Sequence, residues 1–248
     1  MKIAERFMSI QGEGASVGVP AYFIRLRGCN LMCGGHNGSL VKENKATWWC
    51  DSEVVWRNHT EVSNEELMQS FESLGLLENI LKGQTHLVWT GGEPTLPEHQ
   101  KVITDFMLYA DDSYENEIYN EIETNGTIVT EPDFYHFNIN QINCSPKLAN
   151  SGISEKIRIV PEAIKQIKSH ANSYFKFVIS TEDDVKEIKE TYIQPFDIHY
   201  SKVIIMPGVD NRNDLPERTA FLFEMTKKYG YRGITRQHIL AWNKCISV

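Results

Sequence analysis

The chain has no run of about 18 uncharged apolar residues, which excludes a membrane-spanning helix, and it has no sustained Lys/Arg block. With a formal charge of -8 and a pI near 5.5, that second absence disfavours extended binding to a phosphate backbone. A small-molecule partner is expected, with no membrane and no direct nucleic acid contact. Cysteine is scarce: five residues, an odd number weighted toward the N-terminus, which argues for a metal or redox role over a disulfide framework. The opening MKIAERFMSIQGEG lacks the apolar centre of a secretory signal, so a cytoplasmic location with reduced thiols is expected. There is no internal repeat, no low-complexity tract and no convincing linker. The 248 residues therefore suit one large domain, 1–248, although two small ones would fit the length.

What is present is an alternation of short apolar segments with helical patterns. Strands are expected at 19–26, 86–89, 118–123, 139–143, 174–179, 202–206 and 237–241. Between them, Ser63 with Glu66 forms a capping box ahead of Leu67, Phe71 and Leu74, and Pro161 occupies a first helical turn. A further helix over 217–229 should stop at Gly230. A βα series of this kind favours an α/β fold with a mostly parallel sheet and functional residues at the C-terminal ends of the strands. Six or so units fall short of a full barrel, so an open or partial one is expected.

Cys29 and Cys33 in GCNLMC, then Cys50 in WWCDS, supply three thiolates. Three can hold three irons of a 4Fe-4S cube and leave the fourth open. The 34–49 segment between them, rich in Gly, Asn, Lys and Glu, reads as an inserted loop whose closure costs little extra entropy for its length. The same cysteines could be buried core thiols, or His36 and His59 could complete a zinc site with Cys29 and Cys33. Cys144 and Cys245 lack ligand spacing and read as ordinary residues.

TGGEP follows the apolar 86–89 segment. Gly91 and Gly92 permit close backbone approach there, and Glu93 can accept from an ammonium group. ETNGT, with Thr124 and Asn125, and CSPK, with Ser145 and Lys147, end other expected strands. Each alone could be a turn; together they surround one possible mouth. Nearer the N-terminus, Gln11 and Glu13 could read the edges of a heterocycle, and Arg25 could hold a carboxylate through two parallel hydrogen bonds. Asp51 and Ser52 offer oxygen donors suited to magnesium. His238 in RQHIL is either a pocket residue or a polar residue at a strand edge.

The order QGEG, FIRLRGCNLMC, WCDS, TGGEP, ETNGT and SPK resembles the 7-carboxy-7-deazaguanine synthase family, a branch of the radical S-adenosylmethionine enzymes, over most of the chain. The resemblance implies a modified partial (βα)6 radical-SAM barrel, mostly parallel and usually homodimeric. It implies a lyase that converts 6-carboxy-5,6,7,8-tetrahydropterin to 7-carboxy-7-deazaguanine and ammonia by radical ring contraction, a step toward queuosine and other 7-deazapurines. Carried over by motif, Cys29, Cys33 and Cys50 hold the 4Fe-4S cluster, while Gly91, Gly92 and Glu93 meet the methionine part of S-adenosylmethionine. Thr124, Asn125, Ser145 and Lys147 are further cofactor contacts; Gln11, Glu13, Arg25 and His238 bind substrate. Ser52 stands where the family commonly has Thr and keeps the hydroxyl for Mg2+. An external one-electron reductant such as flavodoxin is implied. The chain departs from the superfamily in the sixteen residues between Cys33 and Cys50, where two are usual. Thr47 stands where a cysteine would complete another expanded arrangement, so Cys33 is taken as the middle ligand. The alternatives are another radical S-adenosylmethionine enzyme acting on a related heterocycle, or a non-catalytic metal-binding interaction module.

Overall fold

The computed structural model describes residues 1–245. Nine strands among them form one sheet: β1 (Lys2–Ile10), β2 (Pro20–Leu26), β3 (Thr60–Glu61), β4 (His86–Gly91), β5 (Asn120–Thr124), β6 (Gln141–Cys144), β7 (Ser173–Ile179), β8 (Val203–Pro207) and β9 (Arg232–Gly233). Their order is β3-β1-β2-β4-β5-β6-β7-β8-β9. From β2 onward every pairing is parallel, while β1 runs antiparallel to β2 and to β3. This is a partial (βα)6-type barrel whose six main parallel strands are β2 and β4 to β8. No helix among the described residues is long and apolar enough to cross a membrane.

Side chains along each strand alternate between two environments. On the helix-facing side, Tyr22, Ile24, Leu26, Trp89, Ile122, Phe175 and Phe177 merge into one buried cluster with Leu67, Phe71, Phe106 and Ile167 from the helices. Burying each such side chain is worth about 1.5–3 kcal/mol. On the inner side lie Phe23 and Val88, but also Arg25, Thr90, Glu123 and Lys176, which line a cavity.

The expected capping box is present: Ser63 Oγ accepts from the Glu66 N–H at 3.0 Å, and Glu66 accepts from the Ser63 N–H at 2.7 Å. It starts the helix Asn64–Ser73, which buries Leu67, Met68 and Phe71. Pro161 opens the helix Pro161–Ser169, and Gly230, at φ 74°, ends Leu215–Tyr229. Besides the unforeseen two-residue strands β3 and β9, two longer elements differ from expectation. Residues 237–241 are not a strand but lie in the helix Gln237–Trp242. A short apolar run suits either state, and β9, only three residues earlier, already occupies the edge of β8. The N-terminal strand β1 was not foreseen, because most of its residues are half-buried or exposed on both faces and the apolar alternation is weak.

Candidate active site

The C-terminal ends of the parallel strands open into a cleft of about 880 Å³, near the upper end of the range for small-molecule sites and roomy enough for more than one ligand. Cys29, Cys33 and Cys50 all line it, and none is in a disulfide. Cys29 follows β2. Cys50 is returned to Cys33 by a hydrogen bond from its own N–H to the Cys33 carbonyl, 3.1 Å. Burial pushes the Cys29 thiol up to about 12, with Glu93 and the other two cysteines adding to the effect. Burial raises Cys33 and Cys50 as well. The raised values keep all three thiols protonated in the absence of a metal; a bound metal ion would replace those protons. Among the described residues no three His, Cys, Asp or Glu side chains close on a single metal ion; a cube that takes one thiolate per iron does not ask them to. The histidines of the zinc alternative are elsewhere. His36 pairs with Glu53 and Arg57, His59 lies 4.0 Å from Glu61, and neither lines the cleft.

The glycines of TGGEP are required by the chain crossing that carries Cys29. A Cβ on Gly92 would stand 1.6 Å from the Gly28 carbonyl oxygen, and one on Gly91 2.3 Å from that of Leu26. The Glu93 N–H then donates to the Gly28 carbonyl at 2.8 Å. Glu93 itself is fully buried and, alone among the residues carried over by the family's motifs, does not line the cleft. Its carboxylate accepts from the Thr95 N–H (2.9 Å) and hydroxyl (2.6 Å), the Thr124 hydroxyl (2.7 Å) and the Asn125 N–H (2.7 Å). Thr124 and Asn125 do line the cleft, so Glu93 shapes the wall from behind. Asn125 also donates to Asn30 at 2.9 Å and lies 3.9 Å from Cys29 Sγ. After β6, Lys147 donates to Ser145 Oγ at 3.2 Å.

The same cleft holds a charged group centred on Glu13. Glu13 accepts from Lys176 at 2.5 Å and from Arg236 at 2.7 Å, and Arg236 reaches on to Asp51 at 2.9 Å. Ser52 Oγ donates to the same Asp51 carboxylate at 2.9 Å. Burial would raise the Glu13 carboxyl, but Lys176, Arg236 and His238 together hold it well below the usual carboxylate range. Gln11 orders this loop, accepting from the Glu13 N–H at 3.2 Å and donating to Glu123 at 3.3 Å. Arg25, also in the cleft, donates through Nε to Glu5 at 2.6 Å. His238 lies 3.9 Å from Glu13; burial and the nearby cations keep its imidazole below its usual range. It packs against Gly12, where a Cβ would meet His238 Nδ1 at 2.3 Å.

No protein-family model matches the chain. The 7-carboxy-7-deazaguanine synthase of Aquifex aeolicus is 34% identical over 219 residues, covering 86% of this chain and 80% of that protein. The chain belongs to the 7-carboxy-7-deazaguanine synthase family. A second synthase, from Pyrobaculum aerophilum, is 29% identical and covers 98% of this chain and 95% of its own length. The crystal structure of QueE from Escherichia coli superposes with a TM-score of 0.61 at 21% identity, over 94% of this chain and 92% of that one, a likeness of fold. Membership of the synthase family places the chain among the radical S-adenosylmethionine enzymes.

In this synthase-family chain the charged residues of the cleft that escaped the sequence reading include both cationic partners of Glu13, Lys176 and Arg236. Lys176 carried a signal: a lysine in the middle of the apolar YFKFVI is buried with its strand and must find a counter-charge. Arg236 sits just before the segment mistaken for a strand. Cys144 is buried and Cys245 exposed.

Proposed function

We propose that the cleft houses the family's reaction, the conversion of 6-carboxy-5,6,7,8-tetrahydropterin to 7-carboxy-7-deazaguanine with loss of ammonia. The observation that carries this is that one cleft holds both the three thiols and the charged group around Glu13. Cys29, Cys33 and Cys50 would hold a 4Fe-4S cluster. With S-adenosylmethionine, that cluster supplies one-electron radical chemistry when bound. Gly91, Gly92, Thr124, Asn125, Ser145 and Lys147 would bind the sulfonium cofactor, with Glu93 fixing the Thr124 hydroxyl and the Asn125 backbone.

Gln11, Glu13, Arg25 and His238 would bind the pterin. The Glu13 carboxylate, kept ionised by Lys176 and Arg236, accepts hydrogen bonds from the N–H edge of the ring. The neutral His238 imidazole offers one donor and one acceptor nitrogen. Ser52, with Asp51 beside it, would contact Mg2+, which takes few protein oxygens and leaves room for substrate and water. The chain is read as one radical-SAM core with 34–49 inserted, acting in the cytoplasm as a homodimer and drawing electrons from an external donor such as flavodoxin.

The test is anaerobic turnover of the tetrahydropterin by iron-sulfur-reconstituted protein with S-adenosylmethionine, Mg2+ and a strong reductant. Both 7-carboxy-7-deazaguanine and 5′-deoxyadenosine should appear by mass. 5′-Deoxyadenosine without the deazapurine would point to a related heterocycle as substrate, and neither product from a verified cluster would remove the reading.

A further inference from the structure

The 34–49 insertion does not hang free; it is stitched to the turn that follows Lys147. The Gly34 N–H donates to the Ser151 carbonyl at 2.8 Å and the Thr47 N–H to the Asn150 carbonyl at 2.9 Å. Trp48 Nε1 donates to Asn150 Oδ1 at 2.9 Å, and Asn150 Nδ2 in turn donates to the Val178 carbonyl at 3.0 Å. A Cβ on Gly152 would lie 2.8 Å from Leu40 Cδ1, so the turn makes room for the insertion. Thus anchored, the Trp48 ring faces the Lys147 ammonium, 5.7 Å from the centroid, within cation–π reach. The other end of Lys147 is also held, its carbonyl accepting from Tyr192 Oη at 2.7 Å and Arg158 at 3.2 Å. Lys147 and Trp48 line the same cleft as Cys33 and Cys50, and Trp48 stands only two residues before Cys50.

We propose that the insertion is a positioning device, in which Trp48, locked by Asn150, holds the Lys147 cation beside Cys33 and Cys50 so that a reduced cluster there is stabilised by a fixed positive charge. The inference rests on the assignment of the three cysteines to the cluster. Added positive charge raises a cluster's reduction potential. Trp48 is a positioning residue in this account, acting only through Lys147.

The experiment compares Lys147→Gln, Trp48→Phe and Trp48→Leu with the parent, all reconstituted, by iron and sulfide content and by an EPR-monitored reduction titration. Lys147→Gln and Trp48→Leu should both shift the potential downward at full iron content. Trp48→Phe, which keeps an aromatic face but loses the indole N–H that Asn150 holds, should shift the potential less than Trp48→Leu. An unchanged potential in Lys147→Gln or in Trp48→Leu overturns the proposal. So does an equal shift in Trp48→Phe and Trp48→Leu, or loss of iron in both, since packing alone would then account for the tryptophan. Failure of the cysteine assignment shows separately, as full iron content in Cys33→Ala.

Discussion

The backbone N–H of Cys50 donates to the carbonyl of Cys33 at 3.1 Å. One hydrogen bond thereby brings the ends of the sixteen-residue segment 34–49 together and sets two thiols in the same cleft. The cost of closing such a loop grows only with the logarithm of its length, and the anchors to Asn150 and Ser151 restrict the loop further.

Replacing Cys33 by Ala is expected to remove most of the iron and sulfide taken up on reconstitution, together with the cluster's visible absorbance. Undiminished cluster content would mean that Cys33 is not the middle ligand.

Gly92→Ala should be severe although it adds a single methyl. The new Cβ would run into the Gly28–Cys29 peptide group, the Gly28 oxygen at 1.6 Å and the Cys29 nitrogen at 2.7 Å, and backbone cannot rotate away. Beyond an overpacking cost of about 1–3 kcal/mol, Cys29 must move. Reconstituted iron should therefore fall with stability, and normal cluster loading in a destabilised variant would contradict this.

Glu13→Gln leaves Lys176 buried beside an uncharged amide. At neutral pH it should cost about 3 kcal/mol in urea unfolding and raise KM for the pterin at least tenfold. The cost depends on pH in a defined direction. Because the folded-state pKa of Glu13 is lowered, its contribution is complete above the unfolded value and disappears as pH falls through the folded one. The stability gap between parent and variant should be constant near neutrality and narrow below about pH 4. A gap that widens on acidification would reverse the sign assigned to this group.

Glu93→Gln replaces an acceptor of four hydrogen bonds by a group with one oxygen and a donor. Setting an NH2 against the Thr95, Thr124 or Asn125 donors should destabilise the fold by about 1–3 kcal/mol and weaken S-adenosylmethionine binding indirectly, through Asn125. Parent-like stability, measured by urea unfolding of the cluster-free protein, would show that the inward carboxylate is not needed.

The parallel architecture was legible in the sequence because each buried strand is a short apolar run between turn signals, and the motifs that end those runs fall at the C-terminal edge by connectivity alone. Cys29, Gly91, Asn125 and Lys147 were thus placed at one mouth before any contact was known. Local pattern also determined the Ser63 capping box and the stop at Gly230, both of which depend on residues a few positions apart. What only the tertiary structure decided are relationships across long separations. Lys176 and Arg236 become partners of Glu13 because β7 and the segment after β9 converge on the loop after β1. Glu93 turns inward because its four donors come from its own turn and from β5. The 237–241 segment, apolar enough for a strand, becomes a helix because the neighbouring edge is taken, and Trp48 meets Lys147 because the insertion folds back on the turn after β6. A short-range pattern carries the energetics of a helix cap or a buried strand; the pairing of a buried charge depends on which distant chain arrives beside it, and packing settles that.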